Sequence, residues 1–157
     1  FSGDLVDAIK RFGAIVLPPS FDKKPYMEVP KWRRAGQSLQ VQVRARLHRN
    51  KFGTQPVQEV QSLDPLRPGL WLHFRASTNV GGSFDPSLYR VMWRVTNTDE
   101  AAANDNCLRG KIENPEGDNS RWEQLKYRGV HLVEAFVIRR RDNMIVGQSP
   151  AFRVLIE

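Results

Sequence analysis

The residues best suited to chemistry lie in the second half of the chain. The stretch "YRGVHLVEAFVI", Tyr127 to Ile138, reads as a β-strand, yet His131 and Glu134 interrupt its apolar run. His131 shares the parity of Val133 and Val137, so both of its ring nitrogens need partners. Two readings are open on these residues alone. His131 is either a ligand-binding imidazole or a core histidine bonded to a neighbouring strand or loop.

Catalysis finds little support. No nucleophile elbow, HExxH pair or carboxylate dyad at a motif spacing occurs, and Glu123 and Glu134 read as surface or ion-pair groups on strands. Histidines at 48, 73 and 131 are scattered, which speaks against a metal centre, and no cofactor is implied. Cys107 is the single cysteine, so no intrachain disulfide forms, and a reducing, cytoplasmic setting is favoured. The glycine-rich motifs GxGxxG and GxxxxGK[ST] are absent.

Charge points to an anionic partner. With 24 Lys and Arg against 17 Asp and Glu, the 157-residue chain carries a formal charge of +7. A basic surface concentrates nucleotides, nucleic acid or acidic lipid. The cations are spread through the sequence, from Arg33 and Arg34 through Arg44, Arg46, Arg90, Arg94, Arg109, Lys111, Lys126 and Arg128. Trp71 and Trp122 interleave with them, as in a groove that stacks single strands or mononucleotides. The run Arg139 to Arg141 precedes "DN" and reads as a solvated hairpin end.

The elements that must position these groups are mostly strands. "DLVDAIKRF", residues 4–12, places Leu5, Ala8, Ile9 and Phe12 on one face of a short helix that Gly13 stops. Pro18, Pro19, Pro25 and Pro30 then make an extended connector, with Trp32 pinning its end. Beyond it the period is two. Leu39, Val41, Val43, Ala45 and Leu47 share a face, as do Leu70, Leu72, Phe74 and Ala76, and again Tyr89, Val91, Trp93 and Val95. Residues 107–113, 122–127, 130–139 and 151–156 complete the main strands, with a weaker one at 55–61. Turn signals such as "DPLRPG", "NVGGSFDP" and "RRDN" separate them.

This pattern predicts a mainly β, Ig-like antiparallel sandwich of about seven to eight strands with one short N-terminal helix. Residues 1–29 form the helix and connector, and 30–157 the sandwich. Trp93 is expected to anchor the two-sheet core. The chain opens on Phe1 directly in a helical pattern, which reads as a piece of a longer protein with a partner before it. No run of about 18 apolar residues offers a membrane span.

A larger constellation lies in "YRVMWRVTNTDEAAANDNCLRGKIE" and "WEQLKYRGVHLVEAFVIRRRDNMIVGQSPAFRVLI". Trp93, Val95, Asn97, Glu100 and Ala101 come first, then Leu108, Arg109, Gly110 and Glu123. Tyr127, Gly129, His131, Val133, Glu134, Val154 and Ile156 close it. Over roughly residues 30–156 this resembles the adenylyl/guanylyl and SMODS C-terminal sensor domain of bacterial anti-phage systems. The turn after Asn97 departs from it, with Asp99 in a region where the family usually has Gly.

The resemblance implies a non-catalytic sensor that binds a nucleotide or nucleotide-derived second messenger. Such domains are attached to a nucleotidyltransferase or to an effector such as a small membrane-spanning protein. In that setting His131 becomes a candidate ligand group. Arg109 offers a planar fork to a phosphate, Lys111 and Lys126 add point charges, and Trp122 or Tyr127 can stack a base. Arg94 and Arg128 complete the candidate ligand-binding set. The helix and connector are expected to carry the signal.

Two rival readings remain. One is a module that binds short single-stranded oligonucleotides along a basic face. The other is a protein-interaction domain, and a homo-oligomer among its forms, that uses edge strands or exposed Trp71 and Phe84.

Overall fold

A computed structural model describes residues 4–98 and 108–157. Asp99, Glu100, Ala101 and Cys107 lie outside the described residues. The described residues form ten strands, most of them on alternating apolar and polar residues, and their apolar faces meet in a two-sheet sandwich. Strands β1 (Gln42–His48), β2 (Gln58–Val60), β4 (Trp71–Ser77) and β7 (Arg121–Gln124) form a four-stranded sheet in the order β2-β1-β4-β7. The six-stranded sheet contains β3 (Pro65–Leu66), β5 (Tyr89–Asn97), β6 (Ile112–Glu113), β8 (Gly129–Arg139), β9 (Met144–Gln148) and β10 (Phe152–Ile156). Its order is β3-β10-β8-β5-β6, with β9 also paired to β8. Pairing is antiparallel except between β3 and β10.

The inner faces carry the expected parities. Val41, Ala45, Leu47, Leu72 and Phe74 of one sheet pack against Val91, Trp93, Val95, Val133, Ala135 and Val137 of the other. Trp93 is fully buried and donates from Nε1 to the carbonyl of Asn119 over 3.0 Å. Strand β8 is buried on both faces from Gly129 to Ile138, because the N-terminal segment covers its outer side.

That segment begins with α1 (Leu5–Phe12), capped by Asp4, whose Oδ1 accepts from Val6 N–H over 2.8 Å, and closed by Gly13 at φ 79°. Its buried side chains are Val6 and Ile9, set on Val130, Leu132 and Leu155. The expected face was a different one: Leu5 lies at its margin and Phe12 is 62% exposed. The helix rests on a sheet through an i, i+3 pair, a choice that its apolar spacing alone leaves undecided. The connector makes two short 3-10 turns, Gly13–Val16 and Pro19–Asp22, before running extended along the sheet. Trp32 packs against Met92, Phe136, Ile138 and Ile145, so it does fix the connector's end.

Other expectations are corrected. Leu39 precedes β1 and is 45% exposed, while Phe84 is buried against Tyr89 and offers no surface for a partner. Within the described part of 107–113, only Ile112–Glu113 is strand. Two further strands, β3 and β9, escape the sequence pattern because one is two residues long and the other, "MIVGQ", lacks alternation. No helix among the described residues is long and apolar enough to cross a membrane.

Candidate functional site

At one end of the sandwich the two sheets part over a cavity of about 570 Å³. Its floor is the inner face of both sheets: Leu72 and Phe74 from β4, Val95 from β5, Val133 from β8, and Val154 and Ile156 from β10. Polar groups converge at the wall and mouth. Asn97 ends β5, His131 is the third residue of β8, and the two are cross-strand partners. His131 Nδ1 lies 3.0 Å from Asn97 Oδ1, and Nε2 lies 2.7 Å from the Tyr127 carbonyl. With both ring nitrogens held in this way, the ring plane is fixed.

A charged clasp spans the gap between the two sheets. Glu113 stands on β6, at the edge of one, and Arg121 and Glu123 on β7, at the edge of the other. Arg109 Nη1 donates to Glu123 Oε1 over 2.6 Å, and Nη2 donates to Glu113. Arg121 Nε donates to the same Glu123 carboxylate over 2.8 Å. Lys51 reaches Glu116 at 2.9 Å and extends the network outward.

Burial works against the Arg109 charge, yet the bonds and charges of Glu123 and Glu113 raise its pKa. Glu116 shows the same contest. Burial pushes its carboxyl up, but Lys51, the Trp122 N–H and Arg121 hold it below the usual range.

The structure therefore brings together five of the eight predicted residues. Arg109, Trp122, Lys126, Tyr127 and His131 all line the cavity. Lys126 is exposed, its Nζ 5.3 Å from the Tyr127 ring centroid. Trp122 is a border residue with its ring turned to the outer face of its sheet, because it pairs with His73 across the strand. It stacks on His73 at 4.4 Å and meets His48 edge-on at 4.8 Å, so it is 7% exposed. Tyr127 and Trp71, both partly exposed, are the aromatic surfaces that line the cavity beside it.

Three residues lie elsewhere. Arg94 points to the outer face of the six-stranded sheet, where it forms a buried bidentate pair with Glu134: Nε donates to Oε1 over 3.0 Å and Nη2 to Oε2 over 2.9 Å. Its Nη1 donates to the Glu28 carbonyl over 2.9 Å, which holds the connector down. Arg128 pairs with Asp4 and Asp7 of the helix terminus. Lys111 is exposed and does not line the cavity. Alternation explains Arg94, since its neighbours Trp93 and Val95 face inward.

Trp71, expected as a stacking residue of a groove, lines the cavity, and so do Lys51, Asn97, Glu116 and Arg121, none of which was a candidate ligand-binding residue. For Arg121 the signal was present, since it shares the parity of Glu123 and Leu125. For Lys51 there was none, because the fold alone carries its loop to the β7 edge.

His48 and His73 also come together, with ring centroids 6.1 Å apart. Burial, then the His48, Arg75 and Arg46 charges, lower the His73 pKa from 6.5 to about 4. Among the described residues no group of three or more His, Cys, Asp or Glu is placed to hold a metal ion.

An apolar cavity rimmed by a few convergent polar groups is the geometry of a small-molecule site, here carried on a β-sandwich. The family model of the Adenylyl/Guanylyl and SMODS C-terminal sensor domain matches residues 21–157, and the chain belongs to that family. It is a sensor domain of nucleotide signalling. No curated protein matches the chain.

Proposed function

We propose that this sensor domain is non-catalytic and binds a nucleotide or nucleotide-derived second messenger at the mouth of the inter-sheet cavity, as part of an anti-phage response. The observation that carries this reading is the convergence of Arg109, Lys126, Tyr127 and His131 on one cavity with an apolar floor. Arg109 and Lys126 supply charge to a phosphate, the partly exposed Tyr127 ring supplies a stacking face, and His131, held by Asn97, shapes the polar wall beside them. Arg109 must share its fork between the phosphate and Glu123, so binding opens or loosens the clasp between the sheets.

The path from cavity to N-terminal partner runs through β8. One face of its first residues presents His131 to the cavity, while Val130 and Leu132 on the other lie under the helix. Arg128, next to Tyr127, holds the helix terminus. A ligand that favours one placement of residues 127–131 favours one placement of α1, and differential affinity for the two is all that signalling requires. The receiving domain, a nucleotidyltransferase or membrane effector, precedes the helix.

A thermal-shift screen against mono-, cyclic di- and cyclic tri-nucleotides tests the site. The expected result is a Tm rise that grows with ligand concentration and persists at moderate salt. It should vanish in Arg109→Ala and stay in Lys111→Ala. A rise unchanged in both Arg109→Ala and His131→Ala overturns the assignment.

A further inference from the structure

The groove at the other end of β8 carries its own set of groups. It lies on the outer face of the six-stranded sheet, about 26 Å along the strand from His131 at about 3.3 Å per residue. Its centre is Trp32, a partly exposed indole whose inner side is fixed on Met92, Phe136, Ile138 and Ile145. Lys31 Nζ lies 5.2 Å from the ring centroid and the Arg90 guanidinium 5.9 Å. With Arg33 and the hairpin residues Asp142, Asn143 and Met144 they line a depression of about 580 Å³.

The charge here differs from that of the cavity. Around the clasp every arginine has a carboxylate partner. Lys31, Arg33 and Arg90 have no salt bridge among the described residues, although Asp142 borders the same groove. That carboxylate is already occupied: Arg139 Nε and Nη2 hold it at 3.1 and 2.6 Å. Unpaired cations in a concave site focus positive potential outward, where a paired set would cancel it.

From this geometry we infer that the Trp32 groove is a second site, distinct from the cavity, that binds the phosphodiester backbone of a single-stranded nucleic acid. Lys31, Arg33 and Arg90 take phosphates, and the exposed part of the indole takes a base. The bound strand replaces the present cation–ring contacts, which are weak at an exposed site. A strand uses both halves of the arrangement, its phosphates on the cations and a base on the ring. A carboxylate-rich peptide uses only the charge. The rigid base under Trp32 matters too, because a ring already fixed loses little freedom when a base settles on it.

The test is fluorescence anisotropy with a labelled oligothymidylate of about 20 nucleotides, at salt from about 50 to about 200 mM. Three phosphate contacts on a single strand predict a log–log salt slope near −2 at about 0.7 per contact. The double variant Lys31→Ala/Arg33→Ala should weaken binding at least about tenfold at low salt and make the slope shallower by about 1.4. Arg90→Gln should add to that loss.

Both variants alter exposed or half-exposed side chains, and an unchanged melting temperature confirms the fold. Arg44→Ala/Arg46→Ala, on the opposite sheet, should leave oligonucleotide binding unchanged. Equal losses in the Arg44/Arg46 variant would mean diffuse attraction and overturn the site. Displacement of the strand by polyglutamate of equal charge at equal concentration would also overturn it, in favour of an acidic protein partner. Nucleotide binding in the cavity is read separately by the thermal screen, so either site can fail alone.

Discussion

His131 Nδ1 lies 3.0 Å from Oδ1 of Asn97, its partner across the β5–β8 ladder, and the pair stands at the wall of the inter-sheet cavity. Both residues are at least nine-tenths buried, so each depends on the other for part of its hydrogen bonding. The contact answers the question that His131 raises in the sequence: the ring is satisfied by the fold and still borders the cavity.

Asn97→Ala removes this partner from a buried ring and should cost about 1–3 kcal/mol. Urea unfolding of Asn97→Ala, His131→Ala and the double variant measures the coupling. An interaction energy of about 0.5–3 kcal/mol is expected for side chains in contact. Strict additivity would show that the two do not act as a pair.

Arg94→Ala should be the most damaging single truncation outside the apolar core. It leaves the Glu134 carboxylate buried without its cation and frees the Glu28 carbonyl, at an expected cost of about 3–5 kcal/mol. Replacing both Arg94 and Glu134 by methionine should restore most of that loss. If Arg94→Ala unfolds at the wild-type urea midpoint, the pair contributes nothing.

Gly110 sits where a Cβ would come 2.6 Å from the Tyr26 carbonyl oxygen and 3.0 Å from Met27 Cα, both of them backbone atoms. Gly110→Ala must push the connector away and should cost about 1–3 kcal/mol. The Glu28 amide, which donates to the Gly110 carbonyl over 2.7 Å, should then exchange its hydrogen faster. Unchanged protection at Glu28 would mean that the connector absorbs the methyl group.

His73 gives the stability a pH dependence with a definite sign. Its folded pKa, about 4, lies below the ordinary 6.5, so between these values the unfolded chain binds more protons than the folded one. The contribution is complete above pH 6.5 and is lost as pH falls towards 4. Solvent screening of this partly exposed ring limits it to on the order of 1–2 kcal/mol. His73→Phe should flatten the stability profile over that window, and an equally steep profile in the variant would assign the dependence to other groups.

Glu123→Gln separates the clasp from the ligand site. Removing the carboxylate frees the Nη1 side of the Arg109 fork, with Glu113 still on Nη2, so an anionic nucleotide should bind several-fold more tightly, while the ligand-free domain should lose stability. Arg109→Ala should instead weaken binding by about 1.5–3 kcal/mol, the range for a bond to a charged group. Isothermal titration of both variants reads the difference. Weaker binding in Glu123→Gln would make the carboxylate a ligand contact and not a competitor.

Local pattern determined much of this protein. The period-two runs around Val43, Phe74 and Trp93 each have one way to bury an apolar face, so these strands, their inward sides and the two-sheet core follow from spacing. The prolines fixed an irregular connector, Gly13 fixed the helix end, and the constellation from Trp93 to Ile156 marked the family. Only the tertiary structure decided which charges meet. Parity could send Arg94 outward, but not place it against Glu134 under the connector. Nothing local brings Arg109 to Glu123, Arg128 to Asp4 or Lys51 to the mouth of the cavity, because those contacts depend on which sheet edges face each other. The reason is physical: burial of a strand face is an intrinsic consequence of its own residues, whereas an ion pair depends on two segments whose separation in space the chain's alternation does not encode.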